Sequence, residues 1–468
     1  MSFDILLTEL FGPYLATVVG FVFALVLLAF MMREHERQSA SIAWVLAIVL
    51  VPVVGVPAYL LFAGRKLLLR ARAKGRLRTV PAHPDAGLDG VAARVESIMR
   101  GYALPAASTG NRVSLITSGE STYEQIMAQI DAAEHSIHIT TFGLSCDHVG
   151  RAIVERLARK AEQGVQVCLL VDALGALAAR FVLLPKLERA GGQVGVFMRV
   201  LPLRRKSKAN LRNHRKVAIF DARVAFAGGM NLAGQYMGPN PSRARWMDTC
   251  LKLEGPVVED LHEVFAQDWE FATGEPLHSR RERAATFPQA QVIQVVPSGP
   301  DVEFDVLYDA IVAAVYQSQR RLWIVTPYFV PDDGLMRALL LQVRLGIDVR
   351  IILPRRSDHW VADMARARFV RRLNEAGARF YVHRARMIHA KHLLVDDAIT
   401  VAGSANLDMR SLYLNYELAL FCYDAHTIAA TGQWMDTLLT QCEEYRPRKP
   451  NVLRRLAEDL CWLAAPLL

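Results

Sequence analysis

Two stretches of this chain repeat one another, and the repeat constrains the fold more than any other feature. Asn213-His214-Arg215-Lys216-Val217-Ala218-Ile219-Phe220-Asp221 runs on to Gly228-Gly229-Met230-Asn231. His389-Ala390-Lys391-His392-Leu393-Leu394-Val395-Asp396 is followed by Gly403-Ser404-Ala405-Asn406. In both copies Asp lies 7 residues after the His, Gly 14 after and Asn 17 after. Strand side chains alternate with a period of two, so a strand-like run puts each His and its Lys on one face of a sheet. Two ordinary buried strands would not match at four offsets.

The surrounding text repeats as well. Strand-like runs at 113–116, 136–142 and 165–172 alternate with helix-like runs at 123–133 and 150–163. The pattern returns with strands at 292–296, 321–326 and 349–353 and helices near 304–316 and 334–344. Gly164 and Gly346 each close the helix before the next strand. The expected fold is therefore α/β, with two lobes, 111–285 and 286–445, related by a pseudo-twofold axis. Each lobe supplies one His-Lys pair to a site on their interface, and neither half alone completes it.

Imidazole near neutral pH attacks phosphorus or moves a proton, but one ring cannot do both in a single displacement. Two facing histidines divide the work: one forms a phosphoryl-imidazole, the other protonates the leaving alcohol and deprotonates the incoming one. Lys216 and Lys391, helped by the amides of Asn231 and Asn406, would neutralise charge on the non-bridging oxygens. No metal or other cofactor is needed. A zinc reading fails, since Lys is not a usual ligand and no carboxylate or Cys sits at ligand spacing.

On these residues the chain resembles the phospholipase D superfamily, whose signature is a pair of H-x-K-x4-D motifs. Further text is similar to bacterial cardiolipin synthases: Thr326-Pro327-Tyr328-Phe329-Val330-Pro331-Asp332, Arg245-Trp246-Met247-Asp248-Thr249, residues 254–258, and the continuation of the second motif from Gly403 to Glu417. The resemblance covers nearly the whole chain. It implies transfer of a phosphatidyl group from one phosphatidylglycerol to another, giving cardiolipin and glycerol, with His214, Lys216, Asp221, His389, Lys391 and Asp396 as the catalytic motifs. Within them Asp221 and Asp396 would be structural, anchoring either nearby backbone or the Lys strand. An acid some 25 to 35 positions downstream fixes the tautomer of each His, which points to Asp248 and Glu417. Placing the nucleophile in the first motif follows superfamily habit. One departure is Ala222-Arg223 after Asp221, where a Gly is expected in the turn. The rival reading keeps the chemistry and changes the acceptor: water, as in a phospholipase D-type hydrolase, or another alcohol.

The remaining segments bear on where such a reaction would occur. Hydrophobic content of 52% and a mean hydropathy of +0.17 are high for a soluble enzyme. Residues 10–32 carry no charge, a run of 23 that is long enough to cross a bilayer and is not expected to be cleaved. A second uncharged run, 38–64, contains Pro52, Gly55 and Pro57 and reads as kinked or re-entrant. Seven cations between Arg65 and Arg78 follow with no acid among them. The expectation is a transmembrane hairpin (1–64) in the bacterial inner membrane, a basic juxtamembrane linker (65–110) with one short helix, and catalytic lobes facing the cytoplasm. A net charge of +9 favours anionic partners, here phosphatidylglycerol and cardiolipin in the membrane. Nucleic acid is not expected, because no stacking aromatics interleave the basic runs.

Asp89-Gly90-Val91-Ala92-Ala93-Arg94 opens like the signature of CDP-alcohol phosphotransferases, but Ala103, Ala107 and Asn111 stand where it needs a Gly and two Asp. The six cysteines are scattered, without metal-knuckle spacing. Arg204, Arg205, Lys206, Lys208 and Arg212, and again Arg355, Arg356, Arg366, Arg368, Arg371 and Arg372, either steer a lipid phosphate or form solvated charge runs. Leu453, Leu456, Leu460, Leu463 and Leu467 form a helical stripe within 446–468 with Asn451 placed to cap it. This helix either lies at a membrane interface or packs on the catalytic body.

Overall fold

The structure, a computed structural model, describes residues 83–102, 104–198, 211–278, 285–288, 291–302 and 304–463. The expected membrane hairpin, residues 65–82 of the basic juxtamembrane linker and the run 204–208 lie outside them. Among the described residues no helix is long and apolar enough to cross a membrane.

The chain enters through α1 (Gly90–Gly101), the short helix expected in the linker. It is an integral part of the second lobe, since Val91, Val95 and Met99 join the core cluster of Leu307, Ile311 and Leu339. The first lobe then contributes β1 (Ser108–Ile116), α2 (Gly119–Ala132), β2 (Ser136–Thr141), α3 (His148–Glu162), β3 (Gln166–Asp172), β4 (Gln193–Phe197), β5 (Val217–Phe220), β6 (Val224–Gly228), β7 (Cys250–Glu254) and α4 (Val257–Thr273). The second contributes β8 (Gln291–Ser298), α5 (Val306–Gln317), β9 (Arg321–Val325), α6 (Asp333–Arg344), β10 (Asp348–Pro354), α7 (Trp360–Ala376), β11 (Arg379–His383), β12 (His392–Val395), β13 (Ile399–Gly403), β14 (Glu417–Cys422), α8 (Ala425–Thr440), β15 (Cys442–Glu444) and α9 (Val452–Leu463).

Local signals explain these boundaries. The Asp147 carboxylate accepts from Val149 N at 2.9 Å and caps α3; Asp332 accepts from Leu335 N at 3.0 Å and caps α6. The same helices end where Gly164 and Gly346 take φ of +88° and +84°, a conformation that costs glycine little.

These fifteen strands form one sheet, ordered β15-β11-β10-β9-β12-β13-β14-β8-β1-β7-β6-β5-β2-β3-β4, and Phe329–Val330 pairs with Leu407–Asp408 in a separate two-stranded one. Read outward from the centre, each first-lobe strand has a second-lobe counterpart seven labels on, and β15 is an addition at one edge. The halves join where β1 and β8 pair antiparallel through a register shift between Ser108 and Asn111. Beside them, Val113, Leu251 and Leu253 share a core with Val295, Leu418 and Leu420, so apolar packing crosses the junction. The parallel strands β2, β3 and β4, like β9, β10 and β11, are apolar and mostly buried between helical layers.

One local expectation needs correction. The His-Lys pairs do not lie within the sheet ladders: β5 begins at Val217 and β12 at His392, so both pairs occupy the extended lead-in to a strand. The reason is tertiary. Before each strand the chain crosses to the other lobe, where Asn213 bridges Tyr416 and Ile388 bridges Met247, both in parallel sense.

Candidate active site

Those two bridges build the site. His214 N donates to Tyr416 O at 2.8 Å and Tyr416 N to Arg212 O at 2.9 Å. In the opposite direction, Met247 N donates to Met387 O at 2.8 Å and His389 N to Met247 O at 2.7 Å. Each motif is thus stitched, one residue before its His, to the residue that precedes a carboxylate of the other lobe. Glu417 Oε1 consequently stands 3.1 Å from His214 Nδ1, and Asp248 Oδ2 lies 2.6 Å from His389 Nδ1. The acids expected from sequence are present with crossed partners: each serves the His of the opposite lobe, 203 and 141 positions away, rather than the one upstream of it. Spacing along the chain cannot reveal this, because the pairing is made by the lobe interface.

Both acids are fully buried and supported. Asp248 also accepts from Thr249 N at 2.7 Å, and Thr249 Oγ1 lies 2.6 Å from His392 Nε2. Glu417 accepts from Ser404 Oγ at 2.5 Å and from Asn415 Nδ2 at 3.2 Å. Burial alone would raise the pKa of each carboxyl, but Lys391 and His389 hold Asp248 below the usual carboxylate range. His214 and Lys216 do the same for Glu417.

The bases move the other way. Burial, then Lys391, lowers His389 to about 4, against the pull of Asp248. Burial, then Lys216, lowers His214, with Glu417 opposing. Lys216 is lowered to about 7 and Lys391 to about 8, in both cases chiefly by burial. The charge of Lys391 is felt at His214 and Lys216, and that of Lys216 at His389, so the four basic groups of two lobes share one low-dielectric space. Lys216 Nζ donates to His214 O at 2.6 Å, while Lys391 Nζ rests 2.8 and 3.1 Å from the two ring nitrogens of His389.

Aromatic rings position the imidazoles. Phe142 meets His214 edge-on at 4.7 Å; Tyr236 and Trp246 pack on His389 at 5.0 and 5.4 Å. Asn231 accepts from Gly143 N at 3.0 Å and also bonds Tyr236, whereas Asn406 donates to Ser411 Oγ at 3.2 Å. Asp221 and Asp396 do not join the cluster. At the far end of their strands Asp221 accepts from the backbone of Glu134, His135 and Ser136, and Asp396 from that of Gln319, Arg320 and Arg321. Seven residues of chain carry each of them away from its His and into a clamp on the preceding helix-strand turn.

Sequence reading passed over Arg215, the middle residue of the first motif. It is fully buried and donates to Asp268 at 2.7 Å, Glu417 O at 3.0 Å and Ser298 O at 3.1 Å, which ties the first motif to the second lobe. An Arg inside an apolar run, with an acid on the buried side of a later helix, was the available signal. Four of the six basic residues singled out in the second half are engaged in ion pairs. Arg371 pairs with Glu458 at 2.5 Å, Arg368 with Asp459 at 3.6 Å, Arg366 with Asp363 at 3.2 Å and Arg355 with Glu443. Arg212 lies buried 3.6 Å from Asp172.

The family model described as cardiolipin synthase, PLD-like domain, matches residues 126–269 and 311–439. The chain belongs to the cardiolipin synthases of the phospholipase D superfamily. The family's relatives include the major cardiolipin synthase ClsA of Bacillus subtilis, 32% identical, with the match covering 93% of this chain and 95% of that one. Cardiolipin synthase A of Pseudomonas entomophila is 30% identical, over 98% and 99% of the two chains. A second family model, phospholipase D-nuclease N-terminal, matches residues 19–64 of this cardiolipin synthase family member. Phosphatidylserine synthase of Haemophilus influenzae shares the two-lobed fold, with a TM-score of 0.61 at 15% identity over 80% of this chain and 98% of that one.

Proposed function

We propose that this cardiolipin synthase works through a covalent phosphatidyl-histidine. The observation that carries the reading is the cross-lobe cluster: two imidazoles and two buried ammonium groups gathered in one space, each ring backed by the other lobe's carboxylate. Such a space is short of an anion, and a phosphodiester supplies one. With each Nδ1 facing its carboxylate, Nε2 is the nitrogen turned to chemistry, and at His389 the Lys391 ammonium stands 3.1 Å from it.

His214 Nε2 attacks the phosphorus of a first phosphatidylglycerol, and its bond to the headgroup glycerol oxygen breaks. His389 gives its proton to that oxygen, and glycerol leaves. A headgroup hydroxyl of a second phosphatidylglycerol then returns a proton to His389 and attacks phosphorus, the P–N bond breaks, and cardiolipin forms. Diester replaces diester, so no nucleotide is consumed. Burial and Lys391 hold His389 low, at about 4; an anion that engages Lys391 raises the ring's proton affinity, so acid and substrate arrive together. The greater exposure of the His214 side chain, 16% against 5% for His389, favours it as the nucleophile.

The two uncharged runs, 10–32 and 38–64, support a hairpin in the bacterial inner membrane, and the basic stretch after it favours lobes on the cytoplasmic side. The match to an N-terminal family model over 19–64 supports a distinct segment there.

Rapid quenching with headgroup-retaining, phosphorus-labelled phosphatidylglycerol tests the chemistry. Label is expected on the peptide containing His214. Label on the His389 peptide would reverse the two roles, and label on neither would end the covalent route. Phosphatidic acid without cardiolipin as the product would turn the reading to hydrolysis.

A further inference from the structure

Helix α9 is docked with its polar edge inward. Asn451 Oδ1 caps its start, accepting from Arg454 N at 2.9 Å. Glu458, only 1% exposed, takes Arg371 at 2.5 Å and Arg454 at 3.1 Å; Asp459 lies 3.6 Å from Arg368, whose guanidinium stands 4.2 Å over the Trp462 ring. The apolar stripe is what remains outside. Leu453, Leu456 and Leu460 are 79%, 57% and 58% exposed, and Val452 beside them is 84% exposed. A surface helix of a globular protein turns such a stripe to the core. Here the ion pairs with α7 fix the opposite rotation, so the outward leucines are a set feature of the fold.

The surroundings name the occupant. Arg454 and Arg455 border the stripe, and exposed Arg448 and Lys449 precede it, while both acids of the helix face α7. A second copy seated on this stripe about a twofold axis would bring the same arginines together. An anionic bilayer surface instead complements both the leucines and the cations. Direction agrees. Arg371 meets Glu458 and Arg368 meets Asp459 and Trp462, so the helices run antiparallel and α9 heads towards the start of α7. There Trp360 is 70% exposed, and the preceding Asp358 accepts from Tyr328 at 2.5 Å and is felt electrostatically at Lys391. The apolar strip therefore leads to the edge of the active site.

We propose that α9 lies in the plane of an anionic phospholipid bilayer, with Leu453, Leu456 and Leu460 among the acyl chains, and holds the second-lobe side of the site against the lipid surface. This deepens the lipid-substrate reading and rests on it for its purpose, though not for its test. The full-length protein carrying a photoreactive benzoylphenylalanine in place of Leu456 is reconstituted in phosphatidylglycerol vesicles and irradiated. A lipid adduct on the 456 peptide supports the proposal. Crosslinks to a second copy or to residues 1–82, or no lipid adduct, overturn it. The triple variant Leu453→Glu, Leu456→Glu, Leu460→Glu gives a second readout. Its kcat/KM on vesicles is expected to fall roughly tenfold or more, with turnover of monomeric short-chain phosphatidylglycerol unchanged. Equal loss on both substrates, or no loss on vesicles, overturns the proposal. Failure of the wild type to turn over either lipid would count against the activity instead, and the crosslink would still be read.

Discussion

The two halves of the site share a scaffold and differ in how tightly each imidazole is held. His389 sits deeper, hydrogen-bonded to Asp248 at 2.6 Å, with Lys391 pressed on the ring and two aromatics around it. Glu417 stands 3.1 Å from His214 without the alignment of a straight hydrogen bond, and one aromatic packs on that ring. The position after the motif's glycine, 15 residues after the His, differs too. Ser404 donates to Glu417, whereas a side chain at Gly229 would collide with Asp248 at 2.3 Å. Duplication supplied two equivalent frames, and a few substitutions made one ring fixed and the other freer. That is the division wanted between a proton carrier, which must keep one geometry through two steps, and a nucleophile, which must swing a lipid phosphate.

If the halves are unequal partners in one reaction, neither is dispensable. His214→Ala and His389→Ala should each lower kcat by about 10³-fold or more, measured as cardiolipin formed from phosphatidylglycerol. A variant retaining a tenth of wild-type turnover would break the two-histidine scheme. Next in size is an asymmetry at the middle residue of the motifs, Arg215 against Ala390. Arg215→Ala leaves Asp268 buried without its cation and should cost about 3–5 kcal/mol of stability, read from denaturant midpoints. A cost under about 1 kcal/mol would show that the first motif does not need its tie to the second lobe.

The carboxylates sharpen the contrast. Asp248→Asn should lower kcat by roughly 10²-fold and Glu417→Gln by roughly 10-fold, because the shorter, aligned contact does more to set its ring. Equal losses would mean that the two rings are held alike. The lysines give a pH test. Sulfate, whose charge is constant in this window, needs both ammonium groups. Its protection in thermal melts should be full below the Lys216 value of about 7, fall through the Lys391 value of about 8, and be gone a pH unit above. Without sulfate the sign reverses. The unfolded chain keeps these protons up to the ordinary value of 10.5, so the two groups favour the folded state increasingly as pH rises from 7. Protection that does not change with pH would place sulfate elsewhere.

Much of this was legible in the chain because the repeat is local. The alternation of strand and helix, the glycine stops at 164 and 346, and the paired His, Lys and Asn positions are all periodic or motif-like signals, while Asp248 and Glu417 came from the resemblance. What the sequence hid was relational. Nothing in spacing says that Asp248 turns to His389 rather than His214, that Arg371 is spoken for by Glu458, or that the leucines of α9 point outward. Each depends on which element lies against which, and tertiary contact overrides local pattern there. Asp221 and Asp396 fall between: their spacing was plain, yet only the backbone amides they accept from show that they brace turns.

Those turns hold the smallest difference between the lobes. Asp221 and Asp396 both adopt φ of 51°, which an aspartate tolerates, but in the first lobe Ala222 follows at φ 52°. An alanine pays for left-handed backbone by about 1–2 kcal/mol, and a glycine there would be free of it while losing more entropy on folding, by roughly 0.5–1 kcal/mol. Ala222→Gly should therefore stabilise the protein by no more than about 1 kcal/mol, with activity unchanged, since the Asp221 clamp is made through its own carboxylate. A fall in activity would mean that the exact pitch of this turn reaches through β5 to His214 and Lys216, and that the first lobe's freer ring depends on strain stored six residues beyond its lysine.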